Sequence, residues 1–191
     1  VDELSVRQRE LADAALRLIA RGGLAAATFR AVAAEAGCSV GAVQKAFPSK
    51  LAMTSAAFAR LRERSAPMPP GEPGRPDLVS WLVELFAGVM PLDPPRRAAQ
   101  LQGDAFTQWA LDDPSAAAAI AGSDAQIRGL IASLIDRARG EGEVPAHVDA
   151  AQAAWGILAV AAGAVQQQLY DPAPEQDVRG RLAAAFAALL G

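Results

Sequence analysis

Gln44 and Lys45 stand side by side in the stretch CSVGAVQKAFPSK, residues 38–50, just after the small residues Gly41 and Ala42. A glutamine amide pairs with the edge of adenine and a lysine ammonium with that of guanine. Thr28, Ser39 and Lys50 stand at the starts of successive helical segments. There hydroxyls, backbone N–H groups and an ammonium can clamp phosphate oxygens. Gly41 and Ala42 let a backbone approach closely, and only Val43 and Phe47 are suited to hold the short segment to a core. The chemistry on offer is recognition of base edges and phosphates. The same short helices also occur as plain packing motifs, and one glutamine with one lysine is a thin code.

Bond-making chemistry has little to work with, and no enzyme is expected. The chain holds one histidine and one cysteine, His147 and Cys38, which excludes an internal disulfide and a zinc site of the usual ligand types. His147 sits between Pro145 and Asp149 and reads as a loop or capping residue, Cys38 as small filler in a turn, and Asp112-Asp113 before Pro114 as a helix cap. No strand precedes a glycine-rich phosphate loop, so no cofactor and no metal are expected.

The elements that must position these residues are helices. Every periodic segment reads 3.6 and none reads 2. Ser5 and Gln8 form a capping box before the stripe Leu11, Ala15, Leu18 and Ile19, which ends at Gly22-Gly23. Thr28 caps a second helix, stopped by Gly37, and Ser39 caps a third. The Gly37-Cys38 connection fits a helix-turn-helix, in which the second helix lies in the major groove. Ser49 caps a fourth helix running from Lys50 through Phe58 and Leu61 to about Ser65.

Then comes APMPPGEPGRP, with five of the chain's 13 prolines in 11 residues, which reads as a linker or exposed loop. Asp77, Asp93-Pro94, Asp113-Pro114, Asp149 and Pro174 open five further helices. The expectation is an all-α chain of about nine helices. Residues 1–50 form a helix-turn-helix domain, 51–66 a connecting helix, and 77–191 a ligand-binding and dimerisation domain.

Charge divides along the same line. Residues 1–64 hold ten Lys/Arg against six Asp/Glu, whereas 65–191 hold eight against fifteen, for the overall net charge of −3. A basic first third on an acidic body points to a polyanion partner for the first part. The longest apolar run, AAWGILAVAAGAV, is 13 residues, short of the ~20 needed to span a bilayer. Asp2 and Glu3 stand where a secretory leader would be basic. With the lone thiol, these features make a cytoplasmic protein with no membrane partner the expectation.

Residues 7–62, with RELADAALRLIARGGLAAATFRAVAAEAGCSVGAVQKAFPSK followed by LAMTSAAFARL, resemble the DNA-binding domain of the TetR family of transcriptional repressors. The resemblance implies a homodimer bound to a palindromic double-stranded DNA operator and released by a small-molecule effector. It also implies contact roles for Thr28, Ser39, Val40, Ala42, Gln44, Lys45 and Lys50. Two departures stand out: Gln44 and Ala46 occupy places where the family carries a Tyr and often a His, both phosphate contacts. They leave a second reading, a helical small-molecule-binding protein whose DNA binding is weakened or lost.

Residues 77–190 match the family only in general plan, with RRAAQLQGDAFTQWALDDP and DAAQAAWGILAVAAGAV resembling the ligand domains of BetI-like regulators. Trp81, Met90, Phe106, Trp109 and Trp155 are the large side chains expected around a ligand cavity, with Asp104, Gln108, Gln126 and Arg128 as polar partners. Such large side chains are more often plain core than pocket wall, and such polar residues more often part of a solvated face. The helix from Ala150 to Tyr170 is apolar nearly all round and needs cover on every side. A second subunit is expected to supply part of it, through Gly156, Ala159 and Gly163 and, on the last helix, Leu182, Phe186 and Leu189.

Overall fold

The computed structural model describes residues 4–64 and 69–191; Ser65 and residue 66, given to the fourth and connecting helix, lie outside them. Among the described residues there are nine helices and no strand: α1 Val6–Ala26, α2 Phe29–Glu35, α3 Val40–Ala46, α4 Lys50–Arg64, α5 Leu78–Ala87, α6 Pro94–Ala110, α7 Pro114–Gly140, α8 Ala150–Tyr170 and α9 Glu175–Leu190. The start signals are side-chain caps. Ser5, Thr28, Ser39, Ser49, Asp77, Asp93, Asp113 and Asp149 each accept a hydrogen bond from a backbone N–H two or three residues on. Each satisfies one of the donors that a helix leaves unpaired at its first turn. Gly23 (φ 67°) breaks α1 where the sequence places its end, and Gly37 (φ 64°) turns the chain between α2 and α3.

The chain divides into two compact units, residues 1–66 with 98–118, and 67–97 with 119–191. In the first unit α1 packs chiefly along α4 and against α2, and α2 against α3. Its core is built on Leu11, Leu16, Ile19, Val32, Val43, Phe47, Met53 and Leu61. The stretch 98–118, which the sequence places in a domain spanning 77–191, belongs to this unit. Phe106 is buried there, 5.0 Å from Phe58 between ring centroids and 6.2 Å from Trp109. The Gln102 amide donates to the Leu16 carbonyl at 2.7 Å, a buried donor with a partner.

In the second unit α9 packs on α5 and α8. Trp81, Leu82, Phe86, Met90, Ile131, Ile135, Ile157, Leu182 and Phe186 lie in one buried cluster. Phe86 and Phe186 meet at 5.6 Å, and Arg179 bridges Glu84 of α5 and Glu175 of α9. The proline-rich stretch is held in place: Arg75 makes two bonds of 2.9 Å to Glu141, while Arg137 reaches Glu72 and the Pro73 carbonyl. These pairs strap residues 72–75 to the C-terminal end of α7.

Candidate functional site

Helix α3 is fixed from below and open above. Val43 and Phe47 are 0% and 2% exposed, the only two residues of 39–47 that are buried. Gln8, whose Oε1 completes the α1 capping box, turns its amide N–H to the Ala46 carbonyl at 3.1 Å. The Cys38 N–H donates to the Ala33 carbonyl at 2.9 Å, closing the turn. Helix α2 is locked to α1 by Glu35, which takes both Arg17 and Arg21. These two guanidiniums hold the Glu35 carboxyl below the usual carboxylate range.

The upper face carries the residues that sequence spacing singles out. Thr28, Ser39, Val40, Gln44, Lys45 and Lys50 are exposed and Ala42 is half-buried. The Thr28 and Ser39 oxygens accept from Ala31 N–H at 3.1 Å and Ala42 N–H at 3.2 Å, which leaves each hydroxyl proton free to donate outward. A Cβ built on Gly41 meets only Ser39 Oγ, at 3.9 Å. No internal packing therefore demands glycine here, and its φ is not positive. The bareness of this position faces outward.

One exposed cation of the neighbouring helix was missed by sequence reasoning. Arg30, in the first turn of α2, is exposed, and among the described residues it has no ion-pair partner. Arg7, Arg17, Arg21, Arg60 and Arg64 all sit on carboxylates: Glu10, Glu35 twice, Asp13 with Glu63, and Asp13. Lys45 and Lys50 share the freedom of Arg30. The signal in the sequence was position alone: Arg30 follows the capping Thr28 by two residues.

Of the five large side chains expected around one cavity, two lie in the first unit and three in the second. Phe106 and Trp109 pack in the first unit around Phe58, and Trp81 and Met90 lie in the core of the second. Their stripes report burial and not what they are buried against. Trp155 differs, being 62% exposed on α8 at a groove of about 520 Å³ that also takes in Arg128, Gly129 and Ala132 of α7 with Ala151 and Gln152.

The residues expected between subunits are also divided. Leu182 and Phe186 are 1% and 0% exposed within the subunit, because α9 turns its apolar stripe onto α5 and α8. A Cβ on Gly156 would meet Leu189 at 3.2 Å, so these two pack on each other between α8 and α9. Ala159 and Gly163 remain exposed, and a Cβ at Gly163 meets nothing within 4 Å. Among the described residues no group of three or more His, Cys, Asp or Glu could hold a metal ion, and no helix is long and apolar enough to cross a membrane.

Two family models match: bacterial regulatory proteins of the tetR family over residues 11–57, and the C-terminal domain of BetI-type transcriptional repressors over 79–191. The chain belongs to the TetR family of transcriptional regulators. Among solved structures it is similar to a transcriptional regulator from Rhodococcus sp. Rha1, at 26% identity over 97% of this chain and 96% of that one, TM-score 0.79. A second Rhodococcus sp. chain, assigned to the TetR-family regulators, aligns at 21% identity over 98% and 100%, TM-score 0.81. A TetR transcription regulator from Haloarcula marismortui aligns at 20% identity over 97% and 98%, TM-score 0.77. The last two speak for the fold alone. A search of curated proteins gave no match. The match of the N-terminal model ends at residue 57, within α4, and so covers α2, α3 and the first half of α4.

Proposed function

We propose that this TetR-family regulator binds a palindromic operator as a homodimer, represses from it, and leaves it when a small molecule binds the second unit. The observation that carries the DNA half is α3 itself. It offers a slim outer face with glycine where no packing requires one, flanked by three cations, Arg30, Lys45 and Lys50, without carboxylate partners among the described residues. Gln44 and Lys45 read base edges; Thr28, Ser39, Arg30 and Lys50 hold phosphates, and Val40 and Ala42 give close apolar contact. The protein acts by binding and not by turnover.

For the homodimer, the support is the outer face of α8 and α9. Ala159, Ala162 and Gly163 on α8 and Gly180, Ala184, Ala187 and Ala188 on α9 are small and uncharged, and all but the two glycines are alanine. Small residues let helices approach closely, and a two-fold axis brings the same patch against itself. The interface thus uses the residues next to the apolar stripes and leaves Leu182 and Phe186 to the subunit core.

The decisive experiment is retardation of the DNA flanking the protein's own gene, at low and moderate salt, against random DNA of equal length. Preferential retardation by a dimeric species supports the proposal, and none at low salt refutes its DNA half. That second result would favour the helical small-molecule-binding reading, which rests on Gln44 and Ala46 at the two departures from the family pattern.

A further inference from the structure

We infer that Lys45 and Lys50 are a modification site, and that acylation of their amines by an acyl phosphate or an acyl thioester switches off DNA binding. The inference rests on the reading of α3 as the DNA-facing helix. The chain holds 18 Lys and Arg, of which sixteen are arginine and two are lysine. Both lysines fall in the stretch 45–50, at the end of α3 and the start of α4. Both are exposed, and among the described residues neither ammonium has an ion pair or a hydrogen bond. A guanidinium stays protonated in a protein and is no nucleophile, whereas the lysine amine is the group that acyl donors modify. Within these 191 residues, a donor that takes side-chain amines can therefore act only where the protein is read as meeting DNA.

The step needs the donor and nothing more. The amine, having given up a proton, attacks the acyl carbon and a C–N bond forms. The C–O bond to phosphate or the C–S bond to the thiol breaks, and inorganic phosphate or the thiol leaves; no electron is transferred. The amide that results carries no charge. Lys50 thereby loses its hold on a phosphate and Lys45 the ammonium that meets a base edge, while the acyl group adds bulk beside a face kept slim by Gly41. The fold has little stake in either charge. Lys50 opens α4, whose first turn holds no acid, and a cation at that positive end of the helix dipole is unfavourable. The favourable place of Lys45 in the last turn of α3 roughly offsets this. DNA and donor compete for the same two amines, which the operator covers. Modification is thus confined to released protein and keeps it released.

The test treats the full chain with acetyl phosphate or with acetyl-coenzyme A, with and without operator DNA, and locates acetyl groups by peptide mass. Free protein is expected to carry acetyl at Lys45 and Lys50 with at least one of the two donors, and operator is expected to protect both. Acetylated protein should bind operator at least about tenfold more weakly than untreated protein, with a salt slope flattened by roughly 2. Its unfolding temperature should be unchanged. A protein with both Lys45→Arg and Lys50→Arg keeps the two charges and offers no side-chain amine. Measured against its own untreated sample, its binding to operator and to random DNA at low salt should not respond to the donors. The inference is overturned if neither donor modifies these lysines, if operator fails to protect them, or if acetylated wild type binds operator as tightly as untreated. A double variant that loses binding on treatment as wild type does would also overturn it. Untreated wild type that does not retard operator at low salt would instead sink the DNA reading itself, so the two failures are told apart.

Discussion

Gly41→Ala separates what the fold needs from what a DNA partner needs, because it should move the two in opposite directions. The Cβ would stand 3.9 Å from Ser39 Oγ, ordinary van der Waals contact, in a helix whose φ is already negative here. Nothing in the protein must shift. Alanine in place of glycine in a helix is worth up to about 1 kcal/mol, less near the ends. For a chain of 191 residues a gain of that size raises Tm by roughly 2–4 °C. On the outside, the same methyl stands between the α3 backbone and the floor of the groove. It pushes the helix outward and lengthens the bonds of Gln44 and Lys45, each worth roughly 1–3 kcal/mol to the correct base pair. Operator affinity should fall at least about tenfold, since the loss of one such pair already reaches about 1.4 kcal/mol. The assay is fluorescence anisotropy of labelled operator at one salt concentration, beside thermal unfolding without DNA. A variant that is more stable and binds operator as well as wild type would refute the close approach of α3 to the bases.

Two phosphate-holding cations per subunit, Arg30 and Lys50, give about four neutralised phosphates per dimer, so log K should fall with log salt at a slope near roughly −4; a slope near zero would refute the electrostatics. Lys50→Ala and Arg30→Ala should each weaken specific and random DNA alike and flatten the slope by roughly 2, whereas Lys45→Ala should cost roughly 1–3 kcal/mol mainly at one base pair. Gly163→Arg places a guanidinium where the subunit itself leaves open space. The monomer should therefore fold while the dimer dissociates in sedimentation, and a variant that stays dimeric would remove α8 from the interface. Glu35 and Glu141 are both held below the usual carboxylate range, by Arg17 with Arg21 and by Arg75. Their folded-state pairs stabilise above the unfolded value of about 4.3, and that contribution is lost as pH falls through the lower folded value. Glu35→Gln should therefore flatten the acid side of the stability–pH curve, measured by denaturation at fixed salt.

Helix starts were legible because their signal is local. A Ser, Thr or Asp cap and the N–H it accepts from lie within three residues, as at Ser39 with Ala42 and Asp149 with Gln152. The 3.6 period likewise shows which face of each helix is apolar. What it omits is the partner. Phe106 carries the same stripe signal as Phe86, yet one packs on Phe58 in the first unit and the other on Phe186 in the second. Leu182 and Phe186 look like interface residues on an isolated helix and turn out to be the subunit's own core. The strap at residues 72–75 shows the same limit. Its prolines forbid a helix, but the pairs that fix it, Arg75 with Glu141 and Arg137 with Glu72, span 66 and 65 residues.

The charge of the DNA-facing unit shows why placement outweighs composition. Residues 1–64 carry ten Lys/Arg against six Asp/Glu. Residues 98–118 join that unit and bring Asp104, Asp112 and Asp113 with no cation, leaving ten against nine. A long-range field from so nearly neutral a unit is weak, and at physiological salt charges farther apart than about 8 Å are largely screened in any case. Attraction to DNA must then come from cations that touch it. Five of the eight arginines within 1–64 are held on carboxylates, which cancels much of their charge close to home. Arg30, Lys45 and Lys50 escape that cancellation, and they sit on α2, α3 and the start of α4, the helices that frame the slim outer face. The excess of four positive charges counted along the sequence points toward DNA, but its arithmetic is not the cause. The cause is that carboxylates hold five of the other seven arginines and leave Arg30, Lys45 and Lys50 alone.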